Sequence, residues 1–239
     1  SRNMNIEFNF SNSEEGEVVS EIPYRSVFDF LSRRTTPIGL LTVKNANIDR
    51  TFLQKWRKST DGFRTTVIHV TFEDCDFREL DSVEIRNFLF RYIRCISMKI
   101  EGKVDFFLRE FLMDERISRL HNVRICSRRK IEIDDDILLG RLFNPGDLVF
   151  MELRKIRLSP EFVNKLIQRF RESTRSVHCI SRLCLGGDVP WPLHQLNFSK
   201  EKIRTGDRDK YRFENRFGYY ILNVEYGHNE LDMRIDDNF

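Results

Sequence analysis

The chain has 239 residues, of which 40 are basic and 37 acidic, giving a formal net charge of +3. Because these charges nearly cancel, no strong overall field marks the chain as a general nucleic-acid binder. A hydrophobic content of 40% and an aromatic content of 12% are sufficient for a buried core, so a globular protein is expected. No apolar run approaches the roughly 18 residues that a membrane-spanning helix needs, and no hydrophobic segment of a signal peptide is visible.

Residues 1–37 are predicted to form an N-terminal leader and capping segment. Alternating apolar and polar residues at 6–10 are typical of a strand, which either pairs with an exposed sheet edge or belongs to a mobile leader. The apolar residues between 24 and 31 predict a short amphipathic helix before Pro37. We expect this helix to cover the first of the repeats beyond it, because an open solenoid end exposes its core.

Residues 38–188 are predicted to form repeated strand–helix units. Candidate strands begin 25 to 31 residues apart, near Leu41, Val67, Met98, Val123, Val149 and Ile180. This spacing lies around the period of leucine-rich-repeat-like units, each of which needs its neighbours to bury its apolar side. The sequence therefore predicts an α/β fold that is a short curved solenoid.

Helix-start signals lie between these candidate strands. Asp81 and Glu84 form a capping-box pattern, followed by an apolar stripe of Ile85, Phe88, Leu89 and Ile93. Asp136 is the predicted cap of a second helix. Ser159 is the predicted cap of a third, whose apolar residues share one face: Phe162, Val163, Leu166, Ile167 and Phe170.

The helix around Trp56 recurs later in the chain. Aligning residues 56–60 with residues 170–174 also places residues 52–55 opposite residues 166–169. The matched apolar pairs are Ile48 with Phe162, Phe52 with Leu166, and Trp56 with Phe170. The match in residue type and order indicates an internal repeat.

Residues 189–239 are predicted to form a surface loop, anchored by Trp191, and a three-stranded antiparallel meander. The predicted strands are 211–213, 219–226 and 231–235, separated by turn signals at Gly218 and at 227–229. We expect this meander to close the second end of the repeats.

One sequence motif, a helix that ends in Trp and is followed by a strand, resembles a motif of a known family. The motif Phe52-x-x-x-Trp56-x-x-Ser59, with its copy around Phe162 and the end segments at 211–218 and 231–235, resembles the nematode F-box-associated domains. The resemblance covers most of residues 38–236 and implies irregular leucine-rich-repeat-like units. It also implies the substrate-recognition part of an F-box-type ubiquitin-ligase adaptor.

The F-box itself, through which that family binds the Skp adaptor, has no counterpart in this sequence. The first residue is Ser1 rather than methionine, which is compatible with a fragment whose docking module has been cut away. The partners that the resemblance implies are a protein substrate or complex subunit, and a Skp-type adaptor bound through the missing F-box.

Templates for catalysis and metal binding are missing from the sequence. His178 and Cys179 with Cys184, or His121 with Cys126, suggest zinc, but the usual Cys-x-x-Cys and His-x-x-x-His spacings are absent and strand positions explain these residues better. No nucleophile elbow, phosphate-binding glycine-rich loop or His-Glu-x-x-His motif is found. We therefore predict no enzyme activity, no cofactor and no metal.

Charged runs and cysteines have ordinary structural interpretations. The acids at 132–136 either hold a cation or cap the helix after them, and capping is the more economical interpretation. The basic clusters at 33–34 and 128–130 lack interleaved aromatic residues, which favours a solvated face over an RNA-binding track. The odd number of cysteines in apolar contexts indicates buried thiols in a reducing compartment, the cytoplasm or nucleus: Cys75, Cys95, Cys126, Cys179 and Cys184.

The candidate binding surface is the concave face of the predicted strands. Alternation along each strand points Thr71 and Glu152 away from the helices, together with six basic residues: Lys44, His69, Lys99, Arg124, Arg154 and Arg182. These six are the predicted partner-binding residues, although an exposed sheet face is ordinarily polar for solubility alone.

The sequence thus predicts a non-catalytic protein-binding module without a membrane partner. Two alternatives remain open at this point. The basic face could bind RNA or DNA, in which case affinity would fall steeply with salt, or the chain could be a scaffold subunit of another complex.

Overall fold

A computed structural model describes most of the chain. The described residues are 5–9, 18–22, 28–29, 31–32, 38–60, 65–159, 161–172, 182–188, 202–205, 208–214, 220–227 and 230–237. The chain divides into two compact units, unit 1 (Ser1–Arg128) and unit 2 (Arg129–Phe239). The predicted Trp191 loop and the turn at Gly218 lie outside the described residues, and the predicted helix at 24–31 lies largely outside them. The predicted division of the chain at residues 37 and 188 stays a prediction.

Unit 1 alternates strands with short helices. Its strands are β1 (Asn5–Asn9), β2 (Val18–Ile22), β3 (Ile38–Lys44), β4 (Thr65–Cys75), β5 (Ile93–Gly102) and β6 (Asn122–Glu132), the last of which runs past the unit boundary. Its helices are α1 (Arg50–Ser59), α2 (Ser82–Asn87) with a π-helical turn at Phe88–Tyr92, and α3 (Leu108–Met113) with a 3-10 turn at Glu115–Arg119.

The sheet of unit 1 has the order β2-β1-β3-β4-β5-β6. Strands β3 to β6 are parallel, since each connection between them carries a helix that returns the chain to the same end of the sheet. Strand β1 runs antiparallel to β3. Of the two interpretations of residues 6–10, pairing with a sheet edge is therefore the observed one. Strand β2 was not predicted, because its surroundings are polar.

The core of unit 1 follows a repeated spacing rather than simple alternation. In and just before successive strands, side chains are buried at positions that are three and then two residues apart: Ile38, Leu41 and Val43; Val67, Val70 and Phe72; Cys95, Met98 and Ile100; Leu120, Val123 and Ile125. The strand register places the middle residue of each set beside that of the next. Each of these strands therefore buries its apolar side chains beside those of the next strand.

The predicted start of α2 is confirmed, but its predicted length is wrong. The backbone N–H of Glu84 donates to Asp81 Oδ1 at 2.8 Å, and the N–H of Asp81 donates to Glu84 Oε2 at 3.0 Å. The helix ends at Asn87, and Ile93, predicted to be helical, begins β5. The intervening π-helical turn buries the three consecutive residues 88–90, which one face of a regular helix does not allow.

Aromatic rings fill the space between α1 and the sheet of unit 1. Asp49 caps α1 by accepting a hydrogen bond from the N–H of Phe52 at 2.7 Å. The helix then buries Phe52 and Trp56, whose ring centroids are 5.9 Å apart. The Phe88 ring centroid lies 5.4 Å from that of Trp56 and 5.8 Å from that of Phe72, so a ring of the π-helical turn contacts rings from both a helix and a strand.

Unit 2 combines two strand–helix segments with a meander. Its elements are α4 (Asp135–Phe143), β7 (Phe150–Arg157), α5 (Phe162–Glu172), β8 (Arg182–Asp188), β9 (Lys202–Thr205), β10 (Arg208–Glu214), β11 (Tyr220–Gly227) and β12 (Glu230–Asp237). Strands β7 and β8 are parallel, and β8-β12-β11-β10-β9 are antiparallel. The predicted three-stranded meander is present as β10 to β12, and β9 adds a fourth strand. The α/β class with a mixed sheet is confirmed.

Two predicted helix caps in unit 2 have different outcomes. The cap of α4 is Asp134, not Asp136, because the N–H of Asp136 donates to Asp134 Oδ1 at 2.9 Å. The acidic run extends over several adequate caps, so the sequence pattern could not distinguish among them. Ser159 acts as predicted at the start of α5, since its Oγ accepts from the N–H of Glu161 at 3.2 Å.

The internal repeat seen in the sequence is reproduced in the burial of each unit. All three aligned pairs are buried, with exposed fractions from 0% to 5%: Ile48 and Phe162, Phe52 and Leu166, Trp56 and Phe170. A further regularity concerns the backbone. Among the described residues, positive φ at a non-glycine position is found at Asn45, Asp74 and Lys155, which follow the buried residues Val43, Phe72 and Leu153 by two positions. The pairing register shifts beside two of them, between Glu73 and Cys75 and between Arg154 and Ile156.

Candidate functional site

One face of the parallel strands in unit 1 carries polar side chains. Residues 42, 44, 69, 71, 73, 97, 99 and 101 alternate with buried core residues and therefore point to the other side of the sheet. We call these residues, with 122, 124 and 126 of β6, the unit 1 sheet face. The register forms two neighbouring rows across the strands: Thr42, Thr71, Lys99 and Arg124; and Lys44, Glu73, Glu101 and Cys126.

Opposite charges are neighbours within and between these two rows. Glu73 lies between two lysines, with Oε2 3.7 Å from Lys44 Nζ and Oε1 3.6 Å from Lys99 Nζ. Lys99 Nζ is also 3.1 Å from Glu101 Oε2. These side chains are between 32% and 44% exposed, so each pair stabilises the fold by less than about 1 kcal/mol. Their main consequence is a surface on which positive and negative side chains are paired with one another.

Four of the six predicted binding residues lie on the unit 1 sheet face. Lys44 and Lys99 are joined through Glu73, while His69 and Arg124 are exposed. The predicted set left out Glu73 and Glu101, although each follows a predicted position by two residues and so shares its face. The basic character expected of this face is therefore partly neutralised.

The other two predicted binding residues lie in unit 2. Arg154 is on β7, where its Nε pairs with the carboxylate of Glu152. Arg182 begins β8 and lies opposite Phe150 in the parallel register, but its side chain is not among the described ones. The register places Arg154 opposite Gly186, four residues along β8 from Arg182.

In the acidic run before α4, the carboxylate of Asp135 accepts hydrogen bonds from donors of unit 2 itself. Asp135 is buried and accepts from Lys165 Nζ at 3.1 Å, from the N–H of Ser159 at 3.2 Å and from the Ser159 hydroxyl. The hydrogen bond with Asp135 also raises the pKa of Lys165. This run therefore joins the starts of α4 and α5, as the capping interpretation favours.

The cysteines and histidines of the described residues do not converge. Within that part of the chain, no group of three or more His, Cys, Asp or Glu side chains has the geometry to hold a metal ion. Of the two arrangements considered for zinc, His178 and Cys179 lie outside the described residues. Cys126 lies on the unit 1 sheet face, opposite Glu101.

Two buried thiols are expected to be chemically inert. Burial raises the pKa of Cys75 and of Cys95 to about 12, and Cys75 Sγ lies 3.3 Å from the carbonyl oxygen of Val43. A pKa about three units above that of a free thiol lowers the thiolate fraction about 1000-fold. We expect iodoacetamide at mildly alkaline pH to leave both residues unmodified in the folded protein and to label them in concentrated urea, as read by peptide mass spectrometry. Rapid labelling without urea would contradict their burial.

Comparisons with known proteins were negative. Among the described residues, no helix is both long and apolar enough to cross a lipid bilayer. No protein-family model matches the chain, and no curated protein or solved structure is found to be similar to it.

Proposed function

We propose that the chain is a non-catalytic protein-binding module built as a short curved leucine-rich-repeat-like solenoid with a C-terminal antiparallel meander. By the resemblance of its motifs, it serves as the substrate-recognition part of an F-box-type ubiquitin-ligase adaptor in the cytoplasm or nucleus. The observation that carries this proposal is the unit 1 sheet face, where charged side chains of both signs are held on parallel strands and remain partly exposed.

The repeated burial pattern supports the solenoid part of the proposal. Four successive segments of unit 1 and the segment at Leu148, Met151 and Leu153 in unit 2 share the same three-then-two spacing of buried residues. Such units leave one side of their strands uncovered by their own helices, and repeat proteins commonly bind partners there. The ladder of backbone hydrogen bonds holds the strands of this face in place. Binding a partner there therefore loses little backbone conformational entropy.

The charge pattern favours a protein partner over a nucleic acid. Glu73 and Glu101 lie among the basic residues of the face, and Glu73 is within 4 Å of both lysines. A phosphate backbone laid across the strands would approach these carboxylates and be repelled, whereas a protein can offer both charge signs.

Replacing Arg124 with glutamate is expected to reduce partner recovery at least about tenfold, since reversing a charge at a complementary interface costs several kcal/mol. Recovery is measured by affinity purification of the full-length protein from its source cells, with and without nuclease, followed by mass spectrometry. The matched control is Arg109→Glu, which makes the same charge change at an exposed site on α3. Both variants should keep the thermal stability of the parent within about 0.5 kcal/mol.

Different outcomes separate the proposed functions. Nuclease-resistant recovery of a Skp-type adaptor with other proteins supports the ligase function and identifies candidate substrates. Partners that disappear after nuclease treatment would replace it with nucleic-acid binding, and a stable unrelated assembly would indicate a scaffold. Equal recovery by Arg124→Glu and the parent would show that the unit 1 sheet face is not the binding surface.

A further inference from the structure

Charge is unevenly distributed along the parallel strands of unit 1. Strand β3 contains no acidic residue, and the acids of β4, β5 and β6 all lie beyond the middle of their strands: Glu73, Asp74, Glu101 and Glu132. The segments in which β5 and β6 begin, residues 85–100 and 116–131, contain basic residues and no acid. In β3 to β6, the half of each strand nearer its start therefore carries no negative charge, and the ion pairs of Glu73 and Glu101 lie nearer the other end.

Two isoleucines lie side by side in this acid-free half of the sheet. Ile96 is 46% exposed, because the three-residue step between buried positions of β5 leaves residues 96 and 97 outside the core. The parallel register of β4 and β5 places the half-buried Ile68 opposite Ile96, between the residue pairs 67–95 and 69–97. An apolar pair therefore lies at the surface of the sheet.

One arginine and two histidines flank the two isoleucines. Arg94 lies two positions before Ile96 on β5, is exposed, and forms no ion pair with the described residues. His69 follows Ile68 and is exposed. The N–H of His121, which is also exposed, donates to the carbonyl oxygen of Ile96 at 2.8 Å. We call these five residues the Ile96 patch: Ile68, His69, Arg94, Ile96 and His121.

Charge and apolar surface together select the chemistry of a partner for the Ile96 patch. The positive half of the strands attracts an anionic partner. The exposed isoleucine surface is stabilised when an apolar side chain covers it. A nucleic acid is charged along its whole backbone and would be repelled by Glu73 and Glu101 further along the same strands. A protein segment can place carboxylates and an apolar side chain at the separate positions that the patch provides.

We propose that the Ile96 patch binds an acidic segment of a partner protein in which an apolar side chain lies between carboxylates. The apolar side chain covers Ile68 and Ile96, while the carboxylates face Arg94 and accept hydrogen bonds from His69 and His121. This inference rests on the proposed function, because His69 also belongs to the unit 1 sheet face, and it names the class of partner that this face binds.

The test is an NMR titration of the full chain, labelled in its isoleucine methyl groups, with the end-blocked peptide Glu-Glu-Leu-Glu-Glu. A serine peptide, Glu-Glu-Ser-Glu-Glu, a glutamine peptide, Gln-Gln-Leu-Gln-Gln, and a thymidine oligonucleotide are titrated at the same ionic strength. We expect a saturable shift of the Ile96 methyl signal with the leucine peptide. Binding of the glutamine peptide should be at least about tenfold weaker. Binding of the serine peptide should be at least about fivefold weaker.

Matched variants decide whether the Ile96 patch is responsible. Ile96→Ser should weaken binding of the leucine peptide at least about fivefold and leave that of the serine peptide unchanged, because only the leucine peptide loses an apolar contact. Val83→Ser, at a side chain that is 54% exposed on α2, should leave both unchanged. Arg94→Glu should weaken binding of the leucine peptide at least about tenfold. Arg109→Glu makes the same charge change at an exposed site on α3 and should have a smaller effect.

Three results would overturn the proposal: no saturation with the leucine peptide, equal binding of the leucine and serine peptides, or equal effects of Arg94→Glu and Arg109→Glu. Tighter binding of the oligonucleotide than of the leucine peptide would replace the acidic segment with a nucleic acid. If one of these results is found while Arg124→Glu still loses its partners in the affinity purification, the proposed function stands and only the class of partner is wrong.

Discussion

Replacing Trp56 with alanine is expected to lower the free energy of unfolding of unit 1 by about 3–5 kcal/mol, the range for removing a large aromatic side chain from a core. Trp56 is completely buried and lies 5.9 Å from Phe52 and 5.4 Å from Phe88, measured between ring centroids. The rings around it come from different elements and cannot all move to fill the cavity. Urea denaturation followed by circular dichroism measures the loss.

Three further variants make this prediction specific. Trp56→Phe should lower the free energy of unfolding less than Trp56→Ala does. It keeps an aromatic ring and removes an Nε1–H group that is buried without an acceptor among the described residues. Val83→Ala, at a side chain that is 54% exposed, should change the stability by less than about 0.5 kcal/mol. Phe170→Ala, at the aligned and equally buried position of unit 2, should lower the free energy of unfolding by an amount similar to that for Trp56→Ala. A loss below about 1 kcal/mol for Trp56→Ala would contradict the described packing.

Replacing Asp114 with alanine is expected to destabilise the protein by about 3 kcal/mol, since removing one partner of a buried ion pair leaves the other charges uncompensated. Asp114 is 8% exposed and lies at the end of α3. Its Oδ2 is 2.7 Å from Arg116 Nη2 and 3.5 Å from Arg86 Nη1, so it joins two consecutive helical segments. The matched control is Asp105→Ala, at an exposed acid in the same unit.

The Asp114 carboxylate should also make the free energy of unfolding depend on pH. Burial by itself raises the pKa of Asp114, but the hydrogen bonds donated by Arg116 and the charges of Arg116 and Arg86 outweigh it, so the pKa is lowered from 3.8. A lowered pKa in the folded state means that this stabilisation is present above the ordinary pKa and is lost as the pH falls through the folded value. The free energy of unfolding, followed below about pH 4, should therefore fall less steeply in Asp114→Ala than in the parent.

The free energy of unfolding is plotted against pH for the variant and the parent. The difference between the two slopes reports on Asp114 and not on other acids. Asp76 and Glu84 also have lowered pKa values, through hydrogen bonds with Arg78 and Arg50, and they are unchanged in the variant. Their contribution therefore cancels in the difference between the two curves. Parallel curves for the variant and the parent would show that Asp114 is not held ionised by its arginines.

Features set by neighbouring residues could be predicted from the sequence. The capping box at Asp81 and Glu84 joins residues three positions apart, and the buried stripes of α1 and α5 repeat every three to four positions. The meander strands are bounded by turn residues within a few positions. These elements form because their capping, spacing and turn preferences act over one helical turn or one hairpin.

Features that the sequence did not determine depend on residues that are distant along the chain. The sequence supplied the basic positions of the unit 1 sheet face, but the parallel register alone placed Glu73 between Lys44 and Lys99. The cleft lined by Arg50, Arg57 and Tyr92 likewise exists only because the π-helical turn and α1 lie side by side. Ion pairs and clefts of this kind are decided by which strands and helices become neighbours, and a local pattern of apolar and charged residues carries no record of that choice.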